Sequence, residues 1–518
     1  MRRRSFLPLQ LLTVGLTWLA SLAPLYAQTE LTLEAQGTAS SGDYTPLWLN
    51  ANKYGLSSLE TTNGYMRASL IHSQPTDSLR HIALNYGVDL AVAGGFTSTL
   101  VVQQAYAELQ WKKLLFTLGS KELPLQLRNQ QLSSGSQTLG INARPVPEVR
   151  VEAPDYWVIP HTKNRLAIKG HLGYGMLTDS HWQKDFTNAA SRYTRNTLFH
   201  SKAGYMRIGN PERPVTVELG LEMGCLFGGK TFTDYLGQPI TIENRSNLKA
   251  FLNALIPGGG EHDEGIYKNK EGDHLGSYLL KVNINQPSYR VGIYADHFFE
   301  DHSQMFFLDF DGYGEGDEYN EWKDNRWLLY ELHDMMVGAE LQLKRCKWVN
   351  DVVCEYVYTK HQSGPVYHDR SAILPDHIAA QDNYYNHYIY SGWQHWGQVL
   401  GNPLYRSPLY NQDNTILVAD NRFWAWHVGI SGAPFKGFSY RLLASTQKGW
   451  GTYTDPFDNP EHNTSLLVEA KYCAPEQGSL SGWSLKAAWG LDHGELLGNN
   501  MGVQLTLARR LNINHKHE

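Results

Sequence analysis

The chain has 518 residues, and its formal net charge of −6 excludes the strongly basic footprint of a nucleic-acid binder. Its 30 Tyr and 15 Trp suit a membrane–water boundary, where one end of each ring is apolar and the other wet. A mean hydropathy of −0.42 fits a soluble protein and a membrane barrel equally well, because alternating apolar and polar residues cancel in the average.

Arg2, Arg3 and Arg4 open the chain, and an apolar stretch runs from Phe6 to Leu22. Leu25-Tyr26-Ala27 then offers a small residue at a cleavage position. This is the layout of a secretory signal rather than of a spanning anchor, so residues 1–27 are expected to be removed. No later apolar run reaches the length of about 18 residues that a membrane helix needs. Residues 28–518 read as one domain without a Pro/Ser/Gly-rich linker, and Gln28 to Gly64 is expected as a plug or cap segment.

Strict alternation begins at Ile82. Ile82, Leu84, Tyr86, Val88, Leu90 and Val92 are separated by Ala83, Asn85, Gly87, Asp89 and Ala91. Successive strand side chains point to opposite faces, so one face is apolar and the other small or polar. Leu166, Ile168, Leu172, Tyr174 and Met176 repeat the pattern against Arg165, Lys169 and His171. Such inward charges are tolerated where an interior holds water or polar partners. The alternation recurs in Val217 to Cys225, Tyr278 to Ile284, Tyr289 to Ala295, Val349 to Val357, Arg441 to Ser445 and Met501 to Leu507.

Between these lie turns, as at Gly209-Asn210-Pro211 and Gln286-Pro287-Ser288. Longer polar pieces run from Pro257 to Asp273, Gln362 to Gln381 and Asn402 to Asp413. Short periplasmic turns and long extracellular loops alternate in this way in outer-membrane barrels. With about 9–11 residues per spanning strand, the length accommodates roughly 16 to 18 strands. A secreted sandwich or propeller also alternates, but its strands are usually shorter and need no aromatics on the exposed face. The expected fold class is therefore all-β, a transmembrane antiparallel outer-membrane β-barrel. Cys225, Cys346, Cys354 and Cys473 lack CxxC spacing and read as structural thiols, their pairing open. Cys346 and Cys354 fall in strand-like segments.

Several short strings occur in order along the mature chain. They are Thr45-Pro46-Leu47-Trp48-Leu49-Asn50 continuing to Gly55, Leu132-Ser133-Ser134-Gly135, and Asn142-Ala143-Arg144-Pro145-Val146-Pro147. Leu198 to Lys202, Gly272 to Ser277, Gln362 to Pro365, Asp382 to Asn386, Gly392-Trp393, Gly451 to Tyr453 and Gly498 to Gly502 follow. Taken together they resemble the capsule assembly Wzi family in its Bacteroidetes form. The resemblance implies an 18-stranded outer-membrane barrel that acts in capsule attachment as a lectin for capsular polysaccharide. The chain departs from the enterobacterial members in lacking helical periodicity for a periplasmic bundle. It also runs on through Arg509-Arg510 to His515-Lys516-His517 instead of stopping at an aromatic residue.

Among groups that could carry chemistry, Asp309 to Glu318 invites a calcium reading. An EF-hand loop needs an oxygen ligand at its fifth position and Glu at its twelfth, where Tyr313 and Asn320 stand. It reads as a solvated acidic loop, with a looser carboxylate cage as the alternative. Glu261-His262-Asp263-Glu264 lacks the paired histidines of a zincin. Asp296 to Ser303 holds the residue types of a hydrolase without its G-x-S-x-G elbow. No catalytic residue, metal or cofactor is expected.

Tyr384, Tyr385, Tyr388, Tyr390, Trp393 and Trp396 are interleaved with Asn383, Asn386, Gln394 and Gln398. Sugars present apolar C–H faces and rings of hydroxyls, which flat aromatics and amides suit. The same residues would also serve as a girdle or as loop packing. The expected polysaccharide-binding set is Tyr384, Tyr385, Asn386, Trp393 and Trp396, with Trp322 and Trp327 as a second patch. The expected function is that of a monomeric, non-catalytic protein of the outer membrane, surrounded by its lipids, that anchors capsular polysaccharide or exopolysaccharide. The alternative is a porin for small solutes, suggested by Asp89, Arg165 and Lys169. A third reading is a glycan-acting enzyme at Asp296 to Ser303.

Overall fold

A computed structural model describes residues 28–74, 82–235, 237–256, 272–300, 321, 334–368 and 377–513. The signal segment, Glu261 to Glu264, Asp301 to Ser303, the acidic stretch Asp309 to Glu318, Trp322 and Trp327 lie outside the described residues.

Strands of alternating character close into one antiparallel sheet of 18. In chain order they are β1 (Gln28–Ser41), β2 (Thr62–Ser73), β3 (Ile82–Gly94), β4 (Leu100–Trp111), β5 (Leu114–Ser120) and β6 (Glu148–Val158). Then come β7 (Leu166–Met176), β8 (Leu198–Ile208), β9 (Val215–Phe227), β10 (Asp273–Asn285), β11 (Tyr289–Glu300) and β12 (Met335–Leu343). The last six are β13 (Asp351–Tyr358), β14 (Phe423–Phe435), β15 (Phe438–Gly451), β16 (Pro456–Cys473), β17 (Trp483–Gly494) and β18 (Asn500–Ile513). Leu33 of β1 lies opposite both Ala68 of β2 and Arg509 of β18, so the sheet has no free edge.

The wall is inverted relative to a soluble sheet. In β3, Ile82, Val88, Leu90 and Val92 are exposed on the outside, while Ala83, Asp89 and Ala91 are buried toward the lumen. An apolar exterior is stable only against lipid, which makes this an outer-membrane barrel. Trp111, Trp157, Phe435 and Tyr472 stand exposed where their strands meet the short turns, forming an aromatic girdle. Both described chain ends lie on that side.

The segment expected as a plug or cap divides into two parts. Gln28–Ser41 is barrel wall, because its backbone is needed to pair β2 with β18. Residues 42–61 instead turn into the lumen. There Leu47, Trp48 and Leu49 join one buried cluster with Leu132, Tyr384, Tyr385, Tyr390, Trp393 and Tyr405 from two later loops. Inward wall residues Phe298, Met336, Val353, Phe423 and Leu467 complete this core. The chain thus carries a hydrophobic core inside a membrane barrel, built from segments 42–61, 121–147 and 382–422.

The α-helices among the described residues are Leu47–Asn50, Ser180–Phe186 and Leu248–Leu255, all on the long-loop side. None is long and apolar enough to cross a membrane. None of the four cysteines is in a disulfide. Cys346 lies in the turn between β12 and β13 rather than on a strand.

Candidate functional site

The plug is tied to the wall by polar groups that alternation turns inward. The Leu47 N–H donates to Asp492 (2.9 Å) and the Trp48 indole N–H to Ser445 (3.1 Å). Glu355 accepts from the Ser133 hydroxyl (2.6 Å) and the Ser134 N–H (2.7 Å). Arg128 donates to Asp296 (2.6 Å), with both side chains buried. The Tyr385 N–H donates to Glu300. Buried carboxylates are stable when each has such partners, and here the partners are supplied by the plug itself.

Three of the expected sugar-binding aromatics are part of this core. Trp393 is 0% exposed and Tyr385 1%, and Tyr384 is buried as well. The Trp393 indole N–H donates to the Thr138 carbonyl (2.8 Å) and its ring stacks on Phe199. Tyr385 donates to the Gln137 carbonyl, and Tyr384 donates to Asp334 (2.9 Å). Asn386 uses both ends of its amide on Asn383 and Val418. The assignment of Tyr384, Tyr385, Asn386 and Trp393 to a surface site is therefore corrected. In a chain whose outer wall faces lipid, the large aromatics of these loops have the lumen to pack, and they fill it. Trp322 and Trp327 lie outside the described residues.

Trp396 differs. Gln394–His395 pairs with Gln398–Val399, which leaves Trp396 and Gly397 as a two-residue hairpin turn. Their φ angles are +56° and +78°, the left-handed pair a type I′ turn requires. Asn-Gly or Asp-Gly is the usual choice, and a bulky residue there costs on the order of 1–3 kcal/mol. Asp179 accepts from the Trp396 N–H (3.0 Å), which holds the turn in place. The half-buried indole has the Arg144 guanidinium over one face (4.4 Å) and donates to Thr178 (3.2 Å). Arg144 is in turn fixed by Ser98 (2.8 Å) and Thr97 (2.7 Å). Burial draws Arg144 down to about 10, so it stays charged at neutral pH. The Thr178 N–H donates to His395 Nε2 (3.1 Å), so the ring proton sits on Nδ1, facing the Arg144 carbonyl (2.9 Å). Burial pushes the His395 pKa down, in keeping with that neutral form. Tyr388, 48% exposed, lies in the same loop, and its carbonyl accepts from Arg192 (2.5 Å).

Sequence reasoning passed over Arg144, Asp179 and His395 as site residues. The available signal was a Trp-Gly pair between two short polar runs, and that pair is not a usual turn dipeptide. The hydrolase-like cluster is split by the wall: Asp296 and Glu300 point inward to Arg128 and Tyr385, while alternation sends His297 to the opposite face.

Two cavities flank the plug. One of about 100 Å³ lies beside Trp393, between Tyr54, Arg150, His171 and Glu222, with room for only a few waters. The other, about 380 Å³, opens at the short-turn end between plug residues 125–130 and Lys169, Glu218, Lys281, Arg290, Glu340 and Asp351. Its opposite charges pair, as Lys281 does with Glu340 (2.6 Å).

No protein-family model matches the chain, and no curated protein does. Among solved structures it is similar to Wzi of Escherichia coli, an outer-membrane protein involved in group 1 capsule assembly and described as a carbohydrate-binding β-barrel. Identity is 11%, the match covers 98% of this chain and 89% of that one, and the TM-score is 0.54. It is also similar to OccAB4 of Acinetobacter baumannii, at 10% identity over 94% and 98% of the two chains, with TM-score 0.46. OccK8 (OprE) of Pseudomonas aeruginosa matches at 8% identity over 95% and 100%, with TM-score 0.45. At these identities the likeness is one of fold, that of an outer-membrane β-barrel.

Proposed function

We propose that the chain is a member of the Wzi family and works as a non-catalytic outer-membrane protein that holds capsular polysaccharide or exopolysaccharide at the cell surface. The plug carries this reading. Segments 42–61, 121–147 and 382–422 share one buried core inside the barrel and bond to wall residues around it. Such a filling supports a platform for ligands at the mouth, whereas a porin needs a water-filled path. The carbohydrate-binding barrel of E. coli supports the same direction through its shared fold. The family-like strings add to it, since Leu47, Trp48, Leu132, Tyr384, Tyr385 and Trp393 all belong to the plug core.

Sugar contact is assigned to the crown, at Trp396 with Arg144 and at exposed Tyr388 in the same loop. An indole held at a strained hairpin tip is a flat platform that packing alone does not call for. The test uses cells lacking the gene, complemented with wild type, Trp396→Asn or Tyr388→Ala. Cell-bound and shed polysaccharide are then measured at equal barrel levels. Deletion and both variants are expected to move polysaccharide from the bound to the shed fraction. Unchanged retention in the deletion strain would remove the function. Unchanged retention in the two variants alone would remove Trp396 and Tyr388 as the site.

A further inference from the structure

The outside of the wall carries one polar window. On β8 and β9, Ser201 and Glu222 face the lumen, where Ser201 donates to Glu148 (3.1 Å) and Glu222 accepts from plug residue Ser136 (3.1 Å). Alternation turns His200, Lys202, Met223 and Cys225 to the lipid side. Cross-strand partners share a face. Tyr174 opposite His200, Cys225 opposite His200, and His274 opposite Cys225 therefore form one outward row across β7 to β10. Elsewhere on these strands the outward residues are exposed and apolar, as are Ile168, Leu172, Ile208, Leu219 and Leu280. In the window they are polar, and His200, Cys225 and His274 are buried.

The helix Leu248–Leu255 covers them. Asn247 caps its start by accepting from the Ala250 N–H (3.1 Å). Ala250 and Ala254 are buried against Cys225 and Phe227, and small side chains allow this close approach. The Phe251 ring packs on Tyr174 and Phe227. Tyr174 donates to the Phe251 carbonyl (2.8 Å), and Lys202 donates to the carbonyls of Ala254 (3.1 Å) and Leu255. The Lys202 ammonium thus satisfies carbonyls that the helix end leaves without partners. The opposite face presents Leu248, Leu252 and Ile256, which are 77%, 52% and 66% exposed. Their spacing of i, i+4, i+8 makes a single apolar stripe.

We propose that this helix is seated in the outer leaflet of the membrane. It lies against the lipid-facing wall, seals the polar window, and offers Leu248, Leu252 and Ile256 to acyl chains. Continuity identifies the occupant, because the stripe extends the apolar band that the barrel already presents to lipid. A lysine on the lipid face of a barrel is costly in proportion to its depth. Here a loop folded back over the rim removes that cost while keeping an apolar surface outward.

The test uses the full chain with Cys225→Ala, Cys346→Ser, Cys354→Ser and Cys473→Ser, in dioleoylphosphatidylcholine vesicles. A spin label is placed at Leu252→Cys, at lipid-facing Val102→Cys, or at Gln412→Cys in an exposed loop. Relaxation by oxygen, which partitions into lipid, is compared with relaxation by a water-soluble nickel chelate. The oxygen-to-nickel ratio at residue 252 is expected to match that at 102 and to exceed that at 412. A ratio matching residue 412 places the stripe in water and overturns the proposal. A label shielded from both reagents means that a protein partner or second copy covers the stripe, which also overturns it. Val102 reports on the barrel alone, so failure of the helix assignment is separable from failure of the fold.

Discussion

A tryptophan without accessible surface cannot stack on a sugar, and Trp393 serves the protein by filling space between Phe199 and the Thr138 carbonyl. Trp393→Ala should destabilise the folded barrel by about 3–5 kcal/mol through the cavity it leaves. Equilibrium urea unfolding in detergent, followed by tryptophan fluorescence, checks this, and a loss under about 1 kcal/mol would remove Trp393 from the core. Asp420 makes a pH-dependent contribution. Burial pushes its carboxyl up to about 7, although Gly451, Trp450 and Gln447 donate to it. In the unfolded chain it titrates near about 3.9. Between these values the folded state holds a proton that the unfolded state has released. Its contribution is therefore full below about 3.9 and is lost as pH rises toward about 7. Asp420→Asn cannot ionise, so its thermal midpoint should fall less than that of wild type between about pH 5 and about pH 8. Parallel curves for the two proteins would refute this assignment.

At the scale of elements, the plug is held by pairs whose halves are far apart in sequence. Arg128 and Asp296 are both buried, so removing one partner leaves an uncompensated charge. Arg128→Met and Asp296→Leu should each cost about 3–5 kcal/mol, and the double substitution clearly less than their sum. Additive losses in a double-mutant cycle would mean that the pair is not coupled. Hydrogen exchange should quicken in residues 128–138 of either single variant before it changes in β10 or β11, because the plug loses its anchor while the wall keeps its ladder. The Trp396-Gly397 turn behaves in the opposite way. Trp396→Asn places a turn-favouring residue at φ +56°, so the fold should be no less stable while polysaccharide retention falls.

At the scale of the molecule, a filled lumen predicts electrical silence. Purified protein in planar bilayers should give no large, steady conductance, and a persistent open channel would sink the platform reading. Deleting residues 383–418 removes Tyr384, Tyr385, Trp393 and Tyr405 from the core together, and should raise conductance if the barrel still assembles. The closed sheet itself does not depend on this segment, since β13 and β14 pair directly from Asp351 opposite Ser431 to Tyr358 opposite Trp424.

The alternation of Ile82 to Val92 by itself determined a wall with one apolar face, because a strand has no other way to sort its side chains. Chain length then bounded the strand number. What alternation could not decide was the role of the aromatics between strands. Tyr384, Trp393 and Trp396 are alike in composition and spacing. Their separation into two core residues and one at a hairpin tip arises only when loops from three parts of the chain meet inside the barrel. The segment from Gln28 to Gly64 illustrates the same limit. Its first part became wall through backbone pairing with residues almost five hundred positions away, and its second became plug. The polar row Tyr174, His200, Cys225 and His274 likewise exists only through register, since no two of its members are neighbours in sequence. Local pattern determines which face a side chain takes, whereas closure of the barrel decides what that face meets.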